Sequence, residues 1–195
     1  MTLAVRFRDA KLPKGYAPFG IQALNGSIFV TYARQDAARR NNVAGPGFGY
    51  VDEYTPEGKL VARVATGGRK NAPPNAPWGL AVAPSNFGPF SGDVLIGNFG
   101  NGRISAYHKR ADGTYGYRGQ LRRANGKLIA IDGLWAIAFG NGSAAGPTTR
   151  STSSQGRAGE RTGSSARSRP AETQTNGVVA SGRRHLLSIR SDSLT

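Results

Sequence analysis

At 195 residues the chain has room for one domain of ordinary size, and 28 glycines with only 19% charged residues favour a turn-rich β protein over a helical bundle. The absence of cysteine excludes a disulfide framework and a thiolate metal site, and no run of about 18 apolar residues exists to form a membrane-crossing helix. The formal net charge of +15 favours a polyanionic partner, nucleic acid included, until the charges are located.

The amino terminus, MTLAVRFRDAKLPKGYAPF, has only a short apolar stretch before Arg6, so it is not a signal peptide and directs no export. Three related phrases follow: YAPFGIQALNGSIFVTYA from Tyr16, NAPWGLAVAPSNFGPFSGDVLIGNFG from Asn75, and IDGLWAIAFGNG from Ile131. In each, an aromatic precedes an aliphatic by two residues: Phe19 and Ile21, Trp78 and Leu80, Trp135 and Ile137. These six are the expected repeat-core positions. Phe19 and Trp78 are 59 residues apart, and Trp78 and Trp135 57.

The first two units continue through Asn-Gly or Ser-Gly-Asp into a second β-rich run, SIFVTYA or DVLIGNF. Each then closes with a hairpin. YVDEYTPEGKLVARV turns at Pro56-Glu57-Gly58, and RISAYHKRADGTYGYRGQL carries Asp112-Gly113, a type I′ signal. About four strands per unit at a long, nearly fixed period predict a β-propeller or a related array. Usual blades are shorter, so residues 34–49 and 83–92 are expected to be loop insertions. Val51, Tyr54, Leu60 and Val64 are expected to face neighbouring blades.

Composition changes near Pro147. Residues 1–147 hold all 17 aromatics and 18 basic residues against 8 acids; residues 148–195 hold no aromatic, and eight Arg against Glu160, Glu172 and Asp192. A segment so poor in large apolar groups cannot offset its ordering entropy, which predicts a disordered, basic, Ser/Arg-rich tail over 148–195.

The phrase VLIGNFGNGRISAY resembles the strand-turn-strand core of NHL-type repeats, with Asn98, Asn101, Arg103, Ile104 and Tyr107 in the motif's places. The longer phrases, among them LPKGYAPFGIQ and APWGLAVAPSNFGPFSGDVLIGNFGNGRISAY, are similar to an uncharacterised bacterial family of NHL-like β-propellers, some with a PEP-CTERM sorting tail. That resemblance spans residues 7–146. It implies an all-β partial propeller of about two and a half four-stranded blades, an internal fragment of a longer protein, and export to the cell envelope. It carries no catalytic residues across. Where the family continues with another strand, Thr148 to Ser153 and Arg161 to Pro170 can encode family-like segments in one shifted frame. Residues 148–195 are therefore expected to be frameshift-derived.

Candidate sites are sparse. His108 and His185 are the two histidines; His108 reads as a surface residue, and one body histidine with no cysteine gives a transition-metal site or a His-based triad little support. Asn98, Asp132 and Asn141 are candidate oxygen ligands for calcium, as in propeller lactonases, against the alternative that they cap turns. GNFGNGRI lacks the Lys-Ser/Thr of a phosphate loop and reads as a turn. Trp78 and Trp135 either pack between blades or stack on a sugar. The basic pairs Arg39/Arg40, Arg69/Lys70, Lys109/Arg110 and Arg122/Arg123 look scattered among loops, without a nucleic-acid recognition motif. The leading expectation is a non-catalytic propeller fragment that binds protein or glycan, needs no cofactor, and self-associates through exposed blade edges. A calcium-dependent lactonase-like hydrolase and charge-driven, nonspecific nucleic-acid binding are the alternatives.

Overall fold

The computed structural model describes residues 6–139, 177–181 and 186–190. Each of the first two repeat units forms a four-stranded antiparallel meander. The first contains β1 (Tyr16–Leu24), β2 (Ser27–Arg34), β3 (Gly49–Tyr54) and β4 (Leu60–Ala65), paired in that order. The second contains β5 (Pro77–Val82), β6 (Val94–Asn98), β7 (Ile104–Lys109) and β8 (Tyr115–Gln120), again in order. A third sheet runs β9 (Ala136–Phe139), β10 (Gly177–Ser181) and β11 (Leu186–Arg190), also antiparallel. Helix among the described residues is confined to a 3-10 turn at Gly88–Phe90. The all-β, four-strands-per-unit expectation therefore holds, with both insertions lying between strands. Disorder across the tail does not extend to 177–181 and 186–190, which pair as strands; the rest of the tail lies outside the described residues.

Turn chemistry sets the hairpins. Asn25 and Gly26, with φ of 48° and 79°, make a two-residue turn between Leu24 and Ser27. Pro56-Glu57-Gly58 turns as expected, with Gly58 N donating to Thr55 O at 2.9 Å. Asp112-Gly113 differs from expectation. Only Gly113 has positive φ, Gly113 N bonds Arg110 O and Arg110 N bonds Thr114 O, so the hairpin has a three-residue loop rather than a type I′ turn. Asp112 Oδ1 accepts from Thr114 N and Oγ1, at 2.9 and 2.7 Å, which steadies the longer loop.

The sheets stack face to face because their strands alternate apolar residues on both faces. Phe29, Val51 and Val64 pack with Leu80, Ile96 and Tyr107 between the first two sheets. Leu95, Ile104 and Ala106 point from the other face of the second sheet into a core with Leu121, Leu134 and Ile137. Val30, Tyr32 and Tyr54 occupy the outer face of the first sheet with Leu12 and Leu60. Val51 and Val64 thus face a neighbouring sheet as expected, whereas Tyr54 and Leu60 face the amino-terminal segment. That segment is pinned by Asp9, which pairs with Arg63, which in turn pairs with the fully buried Asp52.

First strands make the closest approach between sheets. β1 lies against β5 and β5 against β9. A Cβ on Gly20 would lie 2.8 Å from Trp78 O, and one on Gly79 would lie 2.9 Å from Ile137 N. Both glycines sit between the aromatic and the aliphatic of their repeat, where only hydrogen fits.

A polar clasp joins the first two sheets at their other edge. Glu53, 3% exposed, accepts two bonds from Lys109 Nζ (2.7 and 2.8 Å), one from Ser27 Oγ (2.8 Å) and one from Tyr115 Oη (3.0 Å). Burial alone would raise the Glu53 carboxyl, but these bonds outweigh it and hold it below its ordinary value.

Two predictions follow from this packing. Leu80 is 0% exposed, whereas Ile21, at the matching repeat position, is 70% exposed. In denaturant titrations Leu80→Ala should cost about 3 kcal/mol and Ile21→Ala less than about 0.5 kcal/mol; equal costs contradict the packing. Because the folded Glu53 value is depressed, its contribution is fully present above the unfolded value near 4.5 and is lost as pH falls through the folded value. Glu53→Gln should therefore be less stable than the parent at pH 7, by about 1–2 kcal/mol after discounting for the half-exposed Lys109. The difference should close in strong acid, read as the gap between the two melting curves.

Candidate functional site

Alternating strand direction brings the connections 35–48, 66–76, 99–103 and 121–135 to one end of the sheets. They are knitted there by main-chain bonds: Ala76 N to Phe48 O (3.1 Å), Gly100 N to Asn75 O (3.0 Å) and Ile131 N to Gly102 O (2.9 Å). Two buried amides complete the lattice. Asn75 Oδ1 accepts from Gly45 N (2.7 Å), and Asn98 Oδ1 accepts from Asn75 N (2.9 Å).

The aromatic residues of the repeat meet at this end. Phe19 and Trp78 have ring centroids 4.1 Å apart, Trp78 and Trp135 4.5 Å, and Phe99 and Trp135 5.1 Å. The rings are tilted or edge-to-face, the favoured geometry for aromatic contacts. They run across all three sheets because the glycine contacts bring β1, β5 and β9 together. The cluster is not fully enclosed: Phe19, Trp78 and Phe99 are half-buried and Trp135 is 39% exposed. Of their aliphatic companions Leu80 and Ile137 are core, whereas Ile21, expected in the core as well, is exposed because no sheet packs on that side of the first repeat's strand among the described residues.

Beside Phe19 lies a shallow recess lined by Phe19, Arg34, Gln35, Arg39, Arg40 and Asn42. Arg34 lies over the Phe48 ring, its guanidinium carbon 4.4 Å from the centroid. Asp36 shapes the rim. Its carboxylate accepts from Arg40 N (2.9 Å) and Asn41 Nδ2 (3.1 Å), and these bonds hold its value below the ordinary range. Arg39 takes φ of 55°, a left-handed conformation unusual for a residue with a side chain.

The expected NHL-like positions build the turn at this end. Asn98 is fully buried, and its amide nitrogen donates to Arg103 O (3.1 Å) and Ser105 Oγ (3.2 Å). Asn101 Oδ1 accepts from Arg103 N (3.1 Å), while Ile104 and Tyr107 enter the two cores. Of the candidate calcium ligands, Asn98 is thus engaged by protein groups, Asp132 is exposed, and Asn141 lies outside the described residues. Among the described residues no three acidic, histidine or cysteine side chains gather in metal-binding range. His185 also lies outside the described residues. His108 is exposed, yet its Nδ1 is 2.9 Å from Oδ1 of the buried Asp93, a pairing unforeseen from sequence because the two are on different strands.

Phe99 and Asn75 were also missed. Asn75-Ala-Pro-Trp-Gly aligns with Tyr16-Ala-Pro-Phe-Gly, and that alignment marks the first residue of the repeat as the one beside the loops. The basic pairs are less scattered than expected: Arg39/Arg40, Arg69/Lys70 and Arg122/Arg123 share this end, and only Lys109/Arg110 lies at the other.

Comparison with known proteins found three similar proteins of Acanthamoeba polyphaga mimivirus, each described as uncharacterised. One is 34% identical over 127 residues, covering 65% of this chain and 22% of the relative. The second is 32% and the third 30% identical, each over 128 residues and 65% of this chain, covering 30% and 32% of the relatives. The chain therefore spans between about a fifth and a third of the length of these relatives. No family model and no solved structure matches it. The expected membership of a bacterial NHL-like family with a PEP-CTERM tail is overturned, because the relatives are viral and nothing among them indicates either feature. No described helix is long and apolar enough to cross a membrane.

The Asn98 amide gives a direct check. Asn98→Ala leaves Asn75 N and Ser105 Oγ without their buried amide partner, while the Arg103 carbonyl keeps its bond from Asn98 N, and should cost roughly 2 kcal/mol. Calcium should not change the melting temperature of the parent chain if Asn98 serves only the turn; a calcium-dependent rise absent from the variant contradicts that role.

Proposed function

We propose that this chain is a non-catalytic carbohydrate-binding part of a β-propeller-like array, and that it binds sugar at the loop end. The observation that carries the proposal is the aromatic cluster Phe19–Trp78–Phe99–Trp135, partly open at the surface rather than sealed in a core. A ring with one accessible face suits the apolar face of a sugar, and neighbouring amides supply hydroxyl partners. The array reading is supported by two consecutive meanders of identical strand order, with first strands side by side. The greater length of the viral relatives agrees with further units. The non-catalytic reading draws support from the buried acids. Asp52 is paired with Arg63 and Glu53 is held in the inter-sheet clasp, both in structural contacts.

Binding to an immobilised panel of neutral and acidic polysaccharides tests the proposal. Retention on at least one of them, with Trp135→Ala losing about tenfold or more in affinity at a temperature where the variant is still folded, is the expected result. Failure to bind any member of the panel, or binding indifferent to Trp135, would count against it.

A further inference from the structure

We infer that the sugar bound at this end is acidic, a polymer carrying carboxylate or sulfate groups. The inference rests on the carbohydrate reading and adds the chemistry of the ligand.

The two ends of the sheets carry unequal charge. At the loop end, connections 35–48, 66–76, 99–103 and 121–135 hold eight Lys or Arg against Asp36 and Asp132, a net of +6. At the opposite end, turns 25–26, 55–59, 83–93 and 110–114, with Arg6 packed on the Gly58 turn, hold Lys59, Arg110 and Arg6 against Glu57, Asp93 and Asp112, a net of zero. The body's excess charge is therefore polarised, not spread, and the positive end is the aromatic end. A field of one sign over a recess steers and retains anions.

The recess supplies short-range chemistry to match. Arg39 and Arg40 are exposed, and neither guanidinium has a side-chain partner among the described residues. Both border the recess whose wall is Phe19, the first ring of the aromatic cluster. Asp36 spends its carboxylate on the loop's own backbone and amide groups rather than on these guanidiniums. A forked guanidinium takes an anionic oxygen pair, the amides of Gln35 and Asn42 take hydroxyls, and the adjoining ring takes a sugar face.

Single-stranded nucleic acid shares the charge but fits the rings less well. Base stacking needs separated platforms with free faces, whereas Phe19, Trp78 and Trp135 touch one another at 4.1 and 4.5 Å with planes inclined by 58° and 61°. No base enters between rings in contact.

The test compares polygalacturonate with its fully methyl-esterified form, which keeps the sugar backbone and removes the charge, using oligo(dT) as the competing polyanion. The full chain should bind polygalacturonate at least about tenfold more tightly than the ester, the equivalent of one charge-assisted contact. Arg39→Gln with Arg40→Gln should erase that preference and flatten its salt dependence. Lys59→Gln with Arg110→Gln, equal in charge change but at the opposite end, should keep it. Equal affinity for acid and ester overturns the acidic-sugar inference while leaving the carbohydrate reading standing. Binding to neither overturns the inference, and the carbohydrate reading falls with it only if every member of the panel fails as well. Tighter binding to oligo(dT) than to polygalacturonate overturns the inference in favour of nucleic acid, and a loss of preference in the Lys59/Arg110 variant assigns the effect to net charge and overturns it as well.

Discussion

The close approach of successive first strands is the constraint on which the rest of this architecture depends. Gly20 lets β1 reach the Trp78 carbonyl, and Gly79 lets β5 reach the backbone at Ala136 and Ile137. A methyl group at either place meets backbone, which cannot swing aside as a side chain can. With the strands this close, the residue before each glycine is carried into contact with its counterpart, and in the second repeat the residue after it, Leu80, enters an inter-sheet core.

The same approach organises the electrostatics. Antiparallel meanders of even strand number return the chain to the end from which it started, so every second connection gathers at one end. The loops collected there carry a net of +6 out of the body's +10, and Asn75 and Asn98 fasten them by satisfying buried main-chain groups. Acids inside the molecule do different work. Glu53 bridges two sheets, and Asp52 with Arg63 and Asp9 closes the amino-terminal segment over the first. Buried acids act as fasteners and exposed bases as a face, a division that residue counts alone do not reveal.

Much of the fold was legible in the sequence because its signals are local. Asn25-Gly26 and Pro56-Glu57-Gly58 mark turns through backbone preferences that hold wherever they occur, and the spacing of Phe19, Trp78 and Trp135 exposes the repeat. What was hidden is non-local. Arg39, Lys70 and Arg122 are far apart in the chain and look dispersed until strand direction places their loops together. Lys109 reads as half of a surface pair until β3 presents Glu53 to it. Asp112-Gly113 misled in a different way: the dipeptide fits a two-residue turn, but the bond from Arg110 N to Thr114 O selects the longer loop. The tail misled through composition, since 177–181 and 186–190 find a partner edge in β9 that composition cannot anticipate.

Contact between Trp78 and Trp135 is the most direct consequence of the strand approach, and far-ultraviolet circular dichroism reads it. Indole rings with centroids 4.5 Å apart and planes inclined by 61° couple their transitions and give a paired positive and negative band. The difference spectrum between the parent chain and Trp135→Phe should contain that couplet, and so should the difference with Trp78→Phe. Two featureless differences, each equal to the loss of one isolated indole, would mean that the first strands do not meet, and the shared aromatic and basic end would dissolve with them.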